Sequence, residues 1–176
     1  RAARMAAAGL RGNLSVMEDP RGFWDVFTFA PLPAMVSGLG RTWVTETISF
    51  KRHPGCAYLG PILDALHELR RTHDLAPERV RQVDVECSFL TVEMDEMARP
   101  WRERRDDLDP VLMNFSVAGT VALDLLAGGM RCADLEPAPL AARRDAVRSL
   151  AARVRIHHAW DLSVDLVRSV NRSVPL

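Results

Sequence analysis

Two periodicities run through this chain, one of two residues and one of helical spacing, and they fall in different stretches. From Trp43 to Phe50, Val44, Ile48 and Phe50 share one face, with Glu46 as the exception, while Thr45, Thr47, Ser49 and Lys51 share the other. This predicts a half-buried strand that delivers Lys51 at its end. Pro54 and Gly55 stop it, and Leu59, Ile62, Leu63, Leu66 and Leu69 then recur at helical spacing, with Asp64, His67, Glu68, Arg70 and Arg71 outside that stripe. After Pro77 the alternation returns: Val83, Val85, Cys87 and Phe89 face one way and Gln82, Asp84, Glu86 and Ser88 the other, the pattern of a strand with one wet face and antiparallel neighbours. Residues 99–109 are charged without a period and predict a long exposed loop.

Asp109-Pro110 reads as a cap and a first-turn proline. It opens one core helix whose stripe is Val111, Leu112, Phe115, Ala118, Ala122, Leu125 and Leu126 and whose end is Gly128-Gly129. A further helix is predicted over 138–152, and Val154 and Ile156 against Arg155 and His157 predict another strand. Trp160, Leu162, Val164 and Leu166 keep a period of two, which leaves strand or short helix open there. Ahead of all this lie a helix-prone run, Ala2 to Ala8, and a short helical stretch opened by Pro20 that holds Phe23, Trp24, Val26 and Phe27. Residues 31–40, PLPAMVSGLG, read as a connection. The expected organisation is therefore a leading piece with its linker over 1–40 and an α+β domain over 41–176, a two-layer arrangement with helices packed on one face of a mostly antiparallel sheet.

Composition narrows the function classes. The 176 residues are 48% hydrophobic and 26% charged, enough for a sizeable core, and the formal net charge is zero, which argues against binding a polyanion or an anionic membrane by charge alone. No apolar run suits a bilayer span or a secretory signal, so a cytoplasmic protein is expected. Cys56, Cys87 and Cys132 are scattered, which indicates neither a disulfide framework nor a zinc site. The chain opens at Arg1 inside a helix-prone run and is expected to be part of a longer protein.

The chemistry concentrates in one segment. Phosphate loops, dinucleotide fingerprints, His-Glu-x-x-His and Gly-x-Ser-x-Gly are all missing from the sequence. Phe50-Lys51-Arg52-His53-Pro54-Gly55-Cys56 lies where a predicted strand gives way to a helix, a kind of junction that collects sites. Lys51 is the single lysine among 23 Lys and Arg residues. Lys51 and His53 together suit a carboxylate, one as a fixed charge and the other titrating near neutrality; the alternative is a strand-end charge and a turn residue. Cys56 reads first as a small buried residue and second as a nucleophile. His157 and His158 are adjacent on a strand, point to opposite sides and make a poor metal site.

The segment Lys51-Arg52-His53-Pro54-Gly55-Cys56, followed by Ile62-Leu63-Asp64-Ala65-Leu66, resembles the K-x-Y-P-x-C stretch and I-D-A-A-L helix of the MmgE/PrpD family. Ala6-Ala7-Ala8-Gly9-Leu10 and Gly22-Phe23 are similar to its first landmarks, Asn114-Phe115-Ser116-Val117 through Gly128-Gly129 to its F-S-x-x-x-x-x-A helix, and Leu150-Ala151-Ala152-Arg153-Val154 with Asp161 to its last. Members include 2-methylcitrate dehydratase, cis-aconitate decarboxylase and iminodisuccinate epimerase, which act on small di- and tricarboxylates without a cofactor. The resemblance implies that 1–40 is the end of an all-helical domain, that the rest of that domain supplies further acid/base residues, and that Lys51 is catalytic, holding the carboxylate next to the reacting carbon. His53, Cys56 and Ser116 are then the substrate-binding candidates, with a helix-packing hydroxyl as the other reading of Ser116. The expected partners are a small carboxylic acid, the helical domain of the same chain and a second copy in a homodimer; no metal, nucleic acid or membrane is expected. The sequence departs from the pattern at His53, where the family has tyrosine, and at Ala57 and Gly60, where it often has arginine and histidine. A non-catalytic oligomerisation or acid-binding module is the alternative.

Overall fold

Val117 to Ala127, VAGTVALDLLA, is apolar on every side, and a helix without a polar face has to be buried. In the computed structural model it is α7, and every residue from Val117 to Leu125 is buried. The structure describes residues 1–17, 19–27, 38, 40, 41, 43, 45, 48, 50–103 and 109–173, the side chains of 101 and 170–173 aside. It divides into two units, Arg1–Ser49 and Phe50–Leu176. In the first, α1 (Ala2–Ala7) and α2 (Phe23–Phe27) bury no side chain, and Phe23 stacks its ring against Trp24 and Phe27 at 5.4 and 5.0 Å. The predicted strand over 43–50 falls largely outside the described residues.

The second unit runs α3 (Gly60–Thr72), β1 (Val83–Cys87), α4 (Phe89–Asp95), α5 (Arg99–Glu103), α6 (Pro110–Met113), α7, α8 (Pro137–Ala142), α9 (Arg144–Ala151), β2 (Val154–His158) and α10 (Trp160–Ser173). Helix α7 packs on α3, α9 and β2, and the core joins its Leu123 with Leu59, Leu63, Leu140 and Val147. The class is α+β.

The sheet corrects the expectation of mostly antiparallel strands. Among the described residues it has two strands, and they are parallel, with Val83 opposite Val154, Val85 opposite Ile156 and Cys87 opposite His158. The reason is the connection: the described residues between 88 and 153 are largely helical and carry the chain over before β2 begins, as a parallel pair demands. Alternation reports which face of a strand is wet, and Asp84 and Glu86 are indeed exposed beside buried Val85 and Cys87, but it says nothing about the direction of the neighbour. Phe89, assigned to the strand face, instead starts α4 and is half exposed. The stretch after His158, which the period of two leaves open between strand and short helix, is helical, since α10 covers Trp160–Ser173.

Two further departures have local causes. Residues 99–103 are helical rather than loop, because Arg102 is tied to the Asp95 carboxylate and to Glu96, and Arg99 to Glu96 at 2.9 Å, so these charges are paired rather than dispersed in solvent. The single helix expected from Asp109 to Gly128 is two. Asp109 accepts from the Val111 N–H at 2.7 Å and caps α6, but Ser116 is extended and caps α7, its Oγ accepting from the Gly119 N–H at 3.0 Å. The Val117 N–H donates to buried Asp95 at 2.7 Å, so two of the amides left open at the start of α7 are satisfied. Burial nevertheless pushes the Asp95 carboxyl above its ordinary range. Gly128, left-handed at φ 72, ends α7 as the glycine pair predicts.

Ser116→Ala is expected to lower stability by about 1–2 kcal/mol, the cost of a lost N-cap. Urea unfolding of the two proteins measures it, and an unchanged midpoint would remove the cap from this account.

Candidate functional site

The loop that carries Lys51 closes on itself before it meets anything else. Lys51 Nζ donates to the Gly55 carbonyl at 2.5 Å, and Gly55 sits at φ 95, a conformation that side chains strain to adopt. A β-carbon there would also come within 2.9 Å of Leu59. The Cys56 N–H donates to the Asn114 carbonyl at 3.1 Å, which ties the loop to the end of α6. The Tyr58 hydroxyl donates to the Phe115 carbonyl at 2.6 Å, and burial pushes its pKa up.

Around this loop lies an open cleft of about 960 Å³, lined by Lys51, Arg52, His53, Cys56, Asn114 and Arg131 among others. Its charged lining is entirely basic: Lys51, Arg52 and Arg131, with His53, and no Asp or Glu. Among the described residues Lys51 has no carboxylate partner, and one of its three N–H donors is spent on Gly55, which leaves two. An adjoining hollow of about 160 Å³ shares Lys51, Arg52, His53 and Cys56 and adds Ala57, Gly60 and Asp64. Ala57 and Gly60, which carry no functional group, thus line the hollow beside the loop.

Lys51, His53 and Cys56 are brought together at the cleft; Ser116 is not. Ser116 is fully buried, faces its own helix as a cap and does not line the cleft. Cys132, which no motif singles out for this place, lines it with Cys56. His157 and His158 do point apart, one bonded to Asp84 at 3.0 Å and the other to Ser163 at 2.9 Å. Among the described residues no three His, Cys, Asp or Glu side chains gather as a metal site.

What the sequence reading missed is the face of α3 behind His53. His53 Nε2 lies 2.8 Å from Asp64 Oδ1, and Arg52 Nη1 is 3.3 Å from the same oxygen. The hydrogen bond from His53, then the charge of Arg52, hold the Asp64 carboxyl below its ordinary value despite the opposing effect of burial. The His53 ring meets that of His67 edge to face, centroids 5.1 Å apart. His67 Nε2 is in turn 2.8 Å from Asp124 Oδ2, a carboxylate with no solvent exposure that also accepts from the Met130 N–H at 2.8 Å and faces Arg70 Nη1 at 3.4 Å. The signals were present: Asp64, His67 and Arg70 recur every three residues, and Asp124 is the sole charge in an eleven-residue apolar helix.

The chain matches no protein-family model and no curated protein. Among the described residues, no helix is long and apolar enough to cross a membrane.

A lowered carboxylate pKa favours the charged form in the fold. The contribution of Asp64 to stability is therefore present above its ordinary value of 3.8 and lost as pH falls through the lower folded value. Carbon-detected NMR titration of the Asp64 carboxyl is expected to give a midpoint below 3.8 at low salt, returning toward it in His53→Gln and in concentrated salt. A midpoint that ignores His53 would break the assigned link.

Proposed function

We propose that the cleft at Lys51 binds a small di- or tricarboxylic acid, and that the chain is part of a cofactor-independent lyase or isomerase acting on such acids. The observation that carries this reading is the charge of the cleft. In a chain of zero net charge, Lys51, Arg52 and Arg131 line one concavity without a carboxylate among the lining residues; Arg52 is paired with Asp64 on the adjoining face, whereas Lys51 is bonded to a backbone carbonyl. A cation left without an internal counter-ion is a place for an external one.

The chemistry follows from the lysine. Removing a proton from carbon next to a carboxylate moves negative charge onto that carboxylate, so an ammonium against it stabilises the transition state more than the ground state. Lys51 keeps two donors for this role, its contact with Gly55 steadies it, and Arg131 offers a second cation for a second carboxylate. The likeness of residues 51–66 to the MmgE/PrpD stretch supports the same substrate class, and in that reading a helical domain of the longer protein closes the cleft and a second copy completes a homodimer. A module that binds acids without transforming them is the second reading. It is favoured by Ala57 and Gly60, which put no functional group into the hollow beside the loop.

Calorimetric titration of the chain with citrate, malate and aspartate at low salt, with acetate as control, tests the common ground of both readings. Saturable binding of the di- and tricarboxylates is expected, weakened about 10- to 100-fold by Lys51→Met, the worth of a hydrogen bond to a charged group. Turnover by the longer protein should fall by about a hundredfold or more in the same variant. Binding that Lys51→Met leaves unaltered sinks the clamp.

A further inference from the structure

We infer that His53 is the acid/base group of this cleft, with Asp64 as its positioning residue, so that the chain carries its own means of moving a proton on a bound acid. The inference rests on the carboxylate-binding reading above and adds to it the group that does the chemistry.

The geometry assigns the two ring nitrogens to different tasks. Asp64 is an ionised carboxylate at neutral pH and can only accept, so at 2.8 Å His53 Nε2 carries the hydrogen and donates it to Oδ1. A neutral imidazole with its hydrogen on Nε2 has a lone pair on Nδ1, and no side chain or backbone group is bonded to Nδ1 among the described residues. That is the arrangement of a general base with an orienting carboxylate behind it. His53 lines the cleft beside Lys51, its side chain is only 13% exposed, and His67 packs edge to face against its ring, so the plane of the imidazole is fixed from one side by Asp64 and from another by His67. His67 is itself held by fully buried Asp124.

In the step assigned to this pair, the C–H bond next to a bound carboxylate breaks. Its electron pair moves into that carboxylate against the Lys51 ammonium, and the proton ends on Nδ1. The imidazolium so formed keeps its Nε2–H on Asp64, whose charge offsets the new one. The reverse step returns hydrogen to the same carbon, and in D2O it returns deuterium. The charged groups about His53 are Lys51 and Arg52 from its own loop and Asp64 and His67 from α3, and Arg131 lines the same cleft. Asp64 is the acid among them that bonds to it directly.

The test is deuterium exchange into citrate, malate and aspartate by the chain in D2O, read by proton NMR, beside calorimetric affinities for the same acids. The wild type is expected to exchange a hydrogen next to a carboxylate with saturation at the measured Kd. His53→Gln, compared at concentrations that saturate each protein, should slow exchange by about a hundredfold or more. Asp64→Asn should slow exchange less and shift the His53 imidazole nitrogen spectrum away from the Nε2–H tautomer, a signature that a merely structural contact would not move. Exchange that persists undiminished in His53→Gln overturns the assignment, and so does a wild type that binds the acids without exchanging them. Both results leave carboxylate binding standing. No binding at all removes the carboxylate reading and the acid/base assignment together.

Discussion

A carboxylate buried without donors is among the most expensive things a protein can contain, and the second unit is organised around one that has them. Asp124 sits near the end of α7 with no solvent exposure, and it draws in His67 and Arg70 from α3 and the Met130 N–H from the chain just beyond Gly128-Gly129. Breaking such a set by removing one partner typically costs several kcal/mol, because the charge stays behind unpaired. The consequence reaches past Asp124. Helix α3 is fixed in rotation against α7, and with it the face on which Asp64 stands one turn before His67. The loop with Lys51 is therefore set by a buried charge that it does not touch.

The basic cleft is a local imbalance inside a neutral chain. Asp64 is taken by His53 and Arg52, Asp95 by Arg102 and the Val117 N–H, and Asp134 by Arg143 at 2.5 Å and the Arg131 N–H. These acids are spent in holding elements together, and Lys51 is left bonded to a carbonyl. Net charge, which argues against a polyanion partner, is silent about such partitioning. A concavity of this size with several cations suits a small anion, which needs one place and not a surface.

The periodic elements were legible in the sequence because each is governed by its own neighbours. Leu63 and Leu66 of the predicted stripe, the alternation around Val85, the proline after Asp109 and the glycines at 128 and 129 meet their predicted roles in α3, β1, α6 and the end of α7, while Leu69 at the stripe's end is exposed. What could not be read depends on distant partners: the parallel pairing of β1 with β2, the helix at 99–103 held by Arg102 on Asp95, and the break at Ser116, where Asp95 takes the amide of Val117. The site divides in the same way. Lys51 and His53 stand out within one short segment, whereas Asp64, His67 and Asp124 become meaningful only when α3 is laid against α7.

The same division bears on why a histidine at position 53 differs from another hydrogen-bonding side chain. A tyrosine at that position could donate a hydrogen bond but would hold its proton near neutrality, since a phenol titrates near 10, as illustrated here by Tyr58, whose burial pushes it higher still. An imidazole titrates near neutral pH, and with a carboxylate on one nitrogen the other is left to take up a proton. Histidine therefore suits the position to a kind of work that a phenol could not do. That work makes sense only together with Asp64, whose oxygen lies 2.8 Å from Nε2 and fixes which nitrogen remains open.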